Sequence, residues 1–155
     1  MDKKIFESLI GIPKVITEAP KKNDVIQHQS RQNKLLVKSF DEQYLFEVYW
    51  RQHIVFFENF SVGIRWLPRD GTPPLTLMRC NGPHGEHRLH EHHVSSHVHF
   101  LDWDDADEGI TIPKNVGLTS DYSTLEEALI YSLRSWNVQN FEPHFAFAMN
   151  TPPLF

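Results

Sequence analysis

The chain has a single cysteine, Cys80, in 155 residues, so no internal disulfide can form and a reducing, cytoplasmic setting is the expectation. It also lacks any apolar run of about 18 residues, the length a membrane-crossing helix needs, so no membrane partner is expected. The N-terminal run from Ile5 to Ile12 is short and broken by Glu7 and Ser8, which argues against a secretion signal. Positive charge is not in excess: 15 Lys and Arg face 20 Asp and Glu, a net charge of −5 with histidines neutral. That balance excludes a surface coated for tight non-specific DNA binding but leaves room for a local basic site. Internal repeats are absent too.

What is present is a globular composition, 40% hydrophobic and 12% aromatic with eleven Phe and four Trp, enough for one substantial core. We read one domain, 1–155: an N-terminal helix and loop over 1–33, an antiparallel sheet with a His-rich loop over 34–101, and an acidic loop, helix and tail over 102–155. Ile5, Phe6, Leu9 and Ile10 have helical spacing and Pro13 ends that run. Lys14 to Asn33 reads as a connecting loop with a short extended piece at Val15-Ile16. From Lys34 the period changes to two. Leu35 to Phe40, Tyr44 to Arg51, His53 to Asn59, Ser61 to Leu67, Leu75 to Cys80 and Ser96 to Leu101 read as strands. Tyr44, Phe46, Val48 and Trp50 share one face; Leu45, Glu47, Tyr49 and Arg51 share the other. Ser123 with Glu126 forms a capping box, and Leu125, Ala128, Leu129, Leu133 and Trp136 supply the apolar stripe of a helix over 124–137. The expected fold is α+β: a curved antiparallel sheet of about five or six strands, a C-terminal helix packed on one face and a short N-terminal helix.

Chemistry concentrates between Arg79 and Phe100, where seven of the ten histidines fall between His84 and His99. Imidazole titrates near neutrality and is the commonest metal ligand, so the cluster points to proton transfer, metal coordination or both. His97 and His99 are two apart on a strand, so they project from one face about 6.6–7 Å apart at the backbone, with Val98 and Phe100 turned toward a core. Asn81-Gly82-Pro83-His84-Gly85 is a tight bend that can bring amides near an anion.

Two chemistries fit. In the first, His97 and His99 with His84 and His87 supply the nitrogen ligands of a divalent metal, zinc being the favoured ion. In the second, His84, His97 and His99 move protons on a phosphodiester while Arg79 or Arg88 neutralises its charge. His90, His92 and His93 at the loop tip read as solvated residues. Arg65 reads as a structural ion-pair partner, and the acidic run Asp102 to Glu108 as a solvated loop.

The segments Asn59-Phe60-Ser61-Val62, Leu77-Met78-Arg79-Cys80-Asn81-Gly82-Pro83-His84-Gly85-Glu86-His87, His97-Val98-His99 and Tyr122-Ser123-Thr124-Leu125-Glu126-Glu127 resemble a bacterial domain family of uncharacterised function. Its pattern is FS, L-x-R-x-N-G-x-H-x-x-H and H-x-H, and the likeness runs over roughly residues 35–138. At greater distance the same segments are similar to the TumE-type toxins of toxin–antitoxin pairs, which also carry an R-x-D/N segment followed by closely spaced histidines. The resemblance implies a small cytoplasmic effector acting on RNA, with an antitoxin or another defence-system protein as partner. The longer N-terminal region and the extra loop histidines depart from the toxin pattern. Leu101 occupies the third alternating position where a histidine-triad hydrolase has histidine, which removes that family. The alternative to an RNA-cleaving effector is a non-catalytic module that binds a metal or a protein.

Overall fold

A computed structural model of the chain describes residues 1–83 and 95–149. Helix α1 (Lys3–Ser8), capped by Asp2 accepting from the Ile5 amide, leads into β1 (Lys14–Glu18), β2 (Val25–Gln27), β3 (Ser30–Ser39), β4 (Leu45–His53), β5 (Phe60–Leu67) and β6 (Leu75–Asn81). After the His-rich segment come β7 (His97–Phe100), α2 (Trp103–Asp107), β8 (Asn115–Leu118), α3 (Leu125–Ser135), β9 (Val138–Gln139), a 3-10 turn (Glu142–His144) and α4 (Ala146–Met149).

The nine strands form one open sheet in the order β8-β7-β6-β5-β4-β3-β1-β9, with β2 paired on β3. Every pairing is antiparallel except β1 with β9. Strict alternation in β4 decides which face is covered: Phe46, Val48 and Trp50 are buried while Leu45, Glu47, Tyr49 and Arg51 are only half-buried. Register carries that side across Leu35 and Val37 on β3, Val62 and Ile64 on β5 and Cys80 on β6, and α3 lays Leu125, Ala128, Leu129 and Leu133 on it. Each large apolar side chain enclosed there contributes about 1.5–3 kcal/mol relative to exposure, enough to fix the register of every strand it sits on.

The fold is α+β with helices at both ends of the chain, as expected, but with more strands than five or six. The surplus lies at the margins. Segment 14–33, read as a loop with a short extended piece at Val15-Ile16, supplies β1, which contains that piece, β2 and the first residues of β3, and two short strands, β8 and β9, follow the acidic segment and α3. His53 to Asn59, read as a strand, is instead mainly the turn from β4 to β5: the Val55 and Phe56 amides donate to His53 Nδ1 at 3.1 and 3.0 Å. Its apolar residues run consecutively rather than alternating, and Ile54, Val55, Phe56 and Phe57 are all exposed. The acidic loop contains a short helix, α2, because Asp102 caps the Asp105 amide and Asp104 and Asp105 fall in its first turn, where acidic side chains complement the helix dipole. The cap of α3 sits one residue later than the Ser123–Glu126 box: Thr124 accepts from the Glu127 amide, and the Ser123 and Thr124 hydroxyls both donate to the Glu127 carboxylate.

Candidate functional site

Antiparallel register aligns polar side chains in rows on the sheet face opposite α3. One row runs Arg51, Ser61, Asn81, His97 over β4 to β7; the next runs Tyr49, Gly63, Arg79, His99. A third, offset by the bulge between Ile64 and Arg65, pairs Glu47 with Arg65 and Arg65 with Thr76. The face thus collects three of the side chains expected to act together. Arg79 and His99 are register partners on adjacent strands, with Cβ atoms about 5 Å apart. The His97 and His99 rings meet edge to face at 4.9 Å. His84, His87 and Arg88, with His90, His92 and His93, lie outside the described residues.

Although they share a strand and a face, the two histidines differ in setting. His97 is fully enclosed, at 0% exposure, and its Nδ1 lies 2.8 Å from the Ser95 carbonyl. Ser61 donates to Asn81 Oδ1 at 2.7 Å, which turns the Asn81 amide nitrogen toward His97 Nε2 at 3.5 Å, the outer limit of a hydrogen bond. This network assigns the proton to Nδ1 and makes Nε2 the acceptor. The Tyr122 hydroxyl lies 2.9 Å from both the Asn81 and His97 carbonyls, so it holds the ends of β6 and β7 together where the His-rich segment departs. His99 is only half-buried. The expectation that Val98 and Phe100 turn into the core holds for Val98, which packs against it. Phe100 is 40% exposed, because α3 lies over β5 and β6 and does not reach the far end of β7.

Arg65 has the structural role expected of it, with Nη1 2.9 Å from Glu47 and the guanidinium 4.7 Å from the centre of the Tyr49 ring. Lys34 shares the Glu47 carboxylate at 3.5 Å. Arg51 and Arg79 make no ion pair among the described residues, and Arg79 Nε is buried without a hydrogen-bond partner there. Arg51 Nη1 donates to Asn59 Oδ1 at 3.3 Å. Burial, and then the like charge of Arg79, hold the Arg51 guanidinium below its ordinary value. Two cations thus occupy one face and, among the described residues, neither is paired with a carboxylate, which favours an anion placed there.

Gly63 explains how Tyr49 joins them. A Cβ on Gly63 would lie 2.3 Å from Tyr49 Cζ and 2.4 Å from its hydroxyl, so the phenol crosses β5 through the space a side chain would fill and points toward β6. Burial pushes the Tyr49 phenol above its ordinary value, against the pull of Arg79 and Arg65. Gly82, expected to free the bend beside His84, has a different reason to be glycine: a Cβ there would meet the Glu58 carbonyl at 2.2 Å and the Phe60 ring at 2.5 Å.

Tyr49, Arg51, Ser61 and the Asn81 amide are the members of this face that sequence reasoning did not single out. Alternation had put Tyr49 and Arg51 together on one face of their strand with Leu45 and Glu47, which was the available signal. Among the described residues no group of three His, Cys, Asp or Glu side chains is arranged to hold a metal, and two of the four proposed donors lie outside them. No family model, no curated protein and no solved structure matches the chain. No helix among the described residues is long and apolar enough to cross a membrane.

Proposed function

We propose that the face opposite α3 binds and cleaves a phosphodiester of RNA, in a small cytoplasmic effector of the toxin–antitoxin kind that the motif resemblance implies. The supporting observation is the pairing of His99 with Arg79, a proton carrier beside a guanidinium that makes no ion pair with a carboxylate among the described residues. In this reading His99 exchanges a proton with the attacking 2′-hydroxyl or the departing 5′-oxygen, and Arg79 balances charge on the phosphorane. His97 acts as a positioning residue: enclosed and tied to Ser95 and Asn81, it holds the His99 ring edge to face. His84 is the candidate for the complementary proton, with Arg88 as a second source of positive charge. In the metal-assisted form, His84, His87 and His99 with His97 would hold a divalent ion, zinc by ligand type, which would supply activation of the attacking oxygen. A metal on His97 Nε2 would have to displace the Asn81 amide.

The test is RNA cleavage by the untagged chain with and without added zinc. His99→Ala should lower the rate by about 10²–10⁴-fold while thermal unfolding shifts little. Intact RNA under both conditions, or cleavage undiminished by His99→Ala, refutes the proposal. A second reading, a non-catalytic module for an antitoxin or defence-system protein, is favoured by the four consecutive exposed apolar residues Ile54 to Phe57. Under it, partner binding falls with Phe56→Ser and is indifferent to His99→Ala.

A further inference from the structure

A cleft of about 430 Å³ opens on the same face and is lined by Lys21, Lys34, Arg51 and Arg65 with Glu47 as its one carboxylate. Glu47 is already shared by Arg65 and Lys34, so the cleft keeps a surplus of positive charge in a chain whose net charge is −5. Such an asymmetry steers a polyanion to this face and away from the rest of the surface. Arg51 forms one wall, and beyond Tyr49 the face continues to Arg79. Arg51 and Arg79 are two strands and one side-chain step apart, about 12 Å at the backbone, so two extended guanidiniums can close on one group between them. Beneath that gap the Tyr49 phenol lies over Gly63, and beside it β5 carries the small side chain of Ser61, which is turned to Asn81.

We infer that Arg51 and Arg79, with the Tyr49 hydroxyl between them, form a phosphate subsite, and that the cleft beside it carries the adjoining nucleotides of a single RNA strand. The inference rests on the proposed phosphodiester chemistry for its choice of strand, and it adds Arg51, Tyr49 and Lys34 to the residues that recognise it. Phosphate is bound as a charge-assisted, two-armed hydrogen-bond acceptor, and each cation that contacts the strand releases a counterion.

The experiment is fluorescence anisotropy of a labelled 2′-O-methyl oligonucleotide, which cannot be cleaved through its 2′-oxygen, on the full chain between 50 and 200 mM KCl. Wild-type affinity should fall with salt. Arg51→Ala should weaken binding about fivefold at 0.1 M salt and reduce the log–log slope by about 0.7, the value for one lost contact to a single strand. Lys34→Ala should act in the same direction, whereas Arg69→Ala, the same charge change on the exposed β5–β6 loop, should leave slope and affinity as they were. Salt-independent binding, or an Arg51→Ala effect no larger than that of Arg69→Ala, overturns the inference. The two ideas fail separately. Chain that never cleaves RNA but loses affinity with Arg51→Ala removes the catalytic proposal alone. Chain whose cleavage needs His99 but whose binding and cleavage ignore Arg51→Ala removes the subsite alone.

Discussion

Replacing Gly63 by alanine places a methyl 2.3 Å from Tyr49 Cζ, more than 1 Å inside ordinary contact. The strand below cannot absorb this, since Gly63 is paired on both sides, with Tyr49 on β4 and Arg79 on β6. The phenol must therefore swing away, losing its place beside the Arg65 guanidinium and its own burial. Overpacking of this kind costs about 1–3 kcal/mol, partly offset by the roughly 0.5–1 kcal/mol that alanine gains over glycine in a strand. For a chain of this length each kcal/mol lowers Tm by about 2–4 °C. The decisive assay is a double-mutant cycle by urea unfolding. Gly63→Ala should be costly beside Tyr49 and close to neutral, or stabilising, in a Tyr49→Ala background, where the clash has gone. If the cost is the same in both backgrounds, the strain lies in the β5 backbone and Tyr49 does not lie across Gly63. The same substitution separates shape from charge at the subsite: Gly63→Ala should weaken oligonucleotide binding without changing its salt slope, because no cation has been removed.

Lys14 provides a pH-dependent readout. Its Nζ is enclosed and donates to the Ile10, Ile12 and Trp136 carbonyls at 2.8–3.0 Å, and burial pushes the ammonium down to about 7 from 10.5. Between those values the unfolded chain holds a proton the folded chain has released, so stability should rise with pH, by at most about 1.4 kcal/mol per unit. The rise should show between about pH 7 and 9, because the Cys80 thiol, pushed up from 9.0 to about 11, and the raised Tyr122 phenol impose the opposite slope above that. Lys14→Met should remove the difference; a wild-type profile that matches Lys14→Met at every pH would mean that the three carbonyls keep the ammonium charged. Cys80 is buried with its thiol held neutral, so a thiol reagent should label it only as fast as the chain opens; labelling within minutes of the native protein would contradict the enclosure. Gly82→Ala, which drives a methyl into the Glu58 carbonyl, should cost about 3 kcal/mol in urea unfolding, while Gly117→Ala, with no atom within 4 Å of the new methyl, should be neutral or stabilising.

Residues 34–52 and 61–67 were legible because the sheet is covered on one side there: burial alternates along β4, and the period of two in the sequence is its direct trace. β1 was read only as a short extended piece at Val15-Ile16, and the reason its start was missed lies in Lys14. A lysine reads as solvated, and nothing in the sequence reveals that its three acceptors come from the turn after α1 and from Trp136, 122 residues away. β8 and β9 are four and two residues long, too short to show a period, and are held by neighbours rather than by their own pattern. The apolar run 53–59 misled in the opposite direction, since apolar residues that do not alternate mark no particular face.

The site was legible in its residue types and illegible in its pairings. Two histidines with one residue between them announce a shared face, and the rings do meet. Which one is enclosed depends on the neighbouring strand. His97 lies opposite Asn81, whose amide and the Ser95 carbonyl occupy its nitrogens, whereas His99 lies opposite Arg79. That register is fixed by the β6–β7 pairing and by the Tyr122 hydroxyl lying across both strands, from a residue 41 positions beyond Asn81. A slip of β7 by one residue would bring Val98 to the polar face and turn both histidines toward α3. The chemistry proposed for this face therefore depends on apolar contacts on the opposite one: Val62, Ile64 and Cys80 packed under α3 hold the register that sets Arg79 beside His99. Core substitutions that loosen β6 should for that reason impair the face before they unfold the chain.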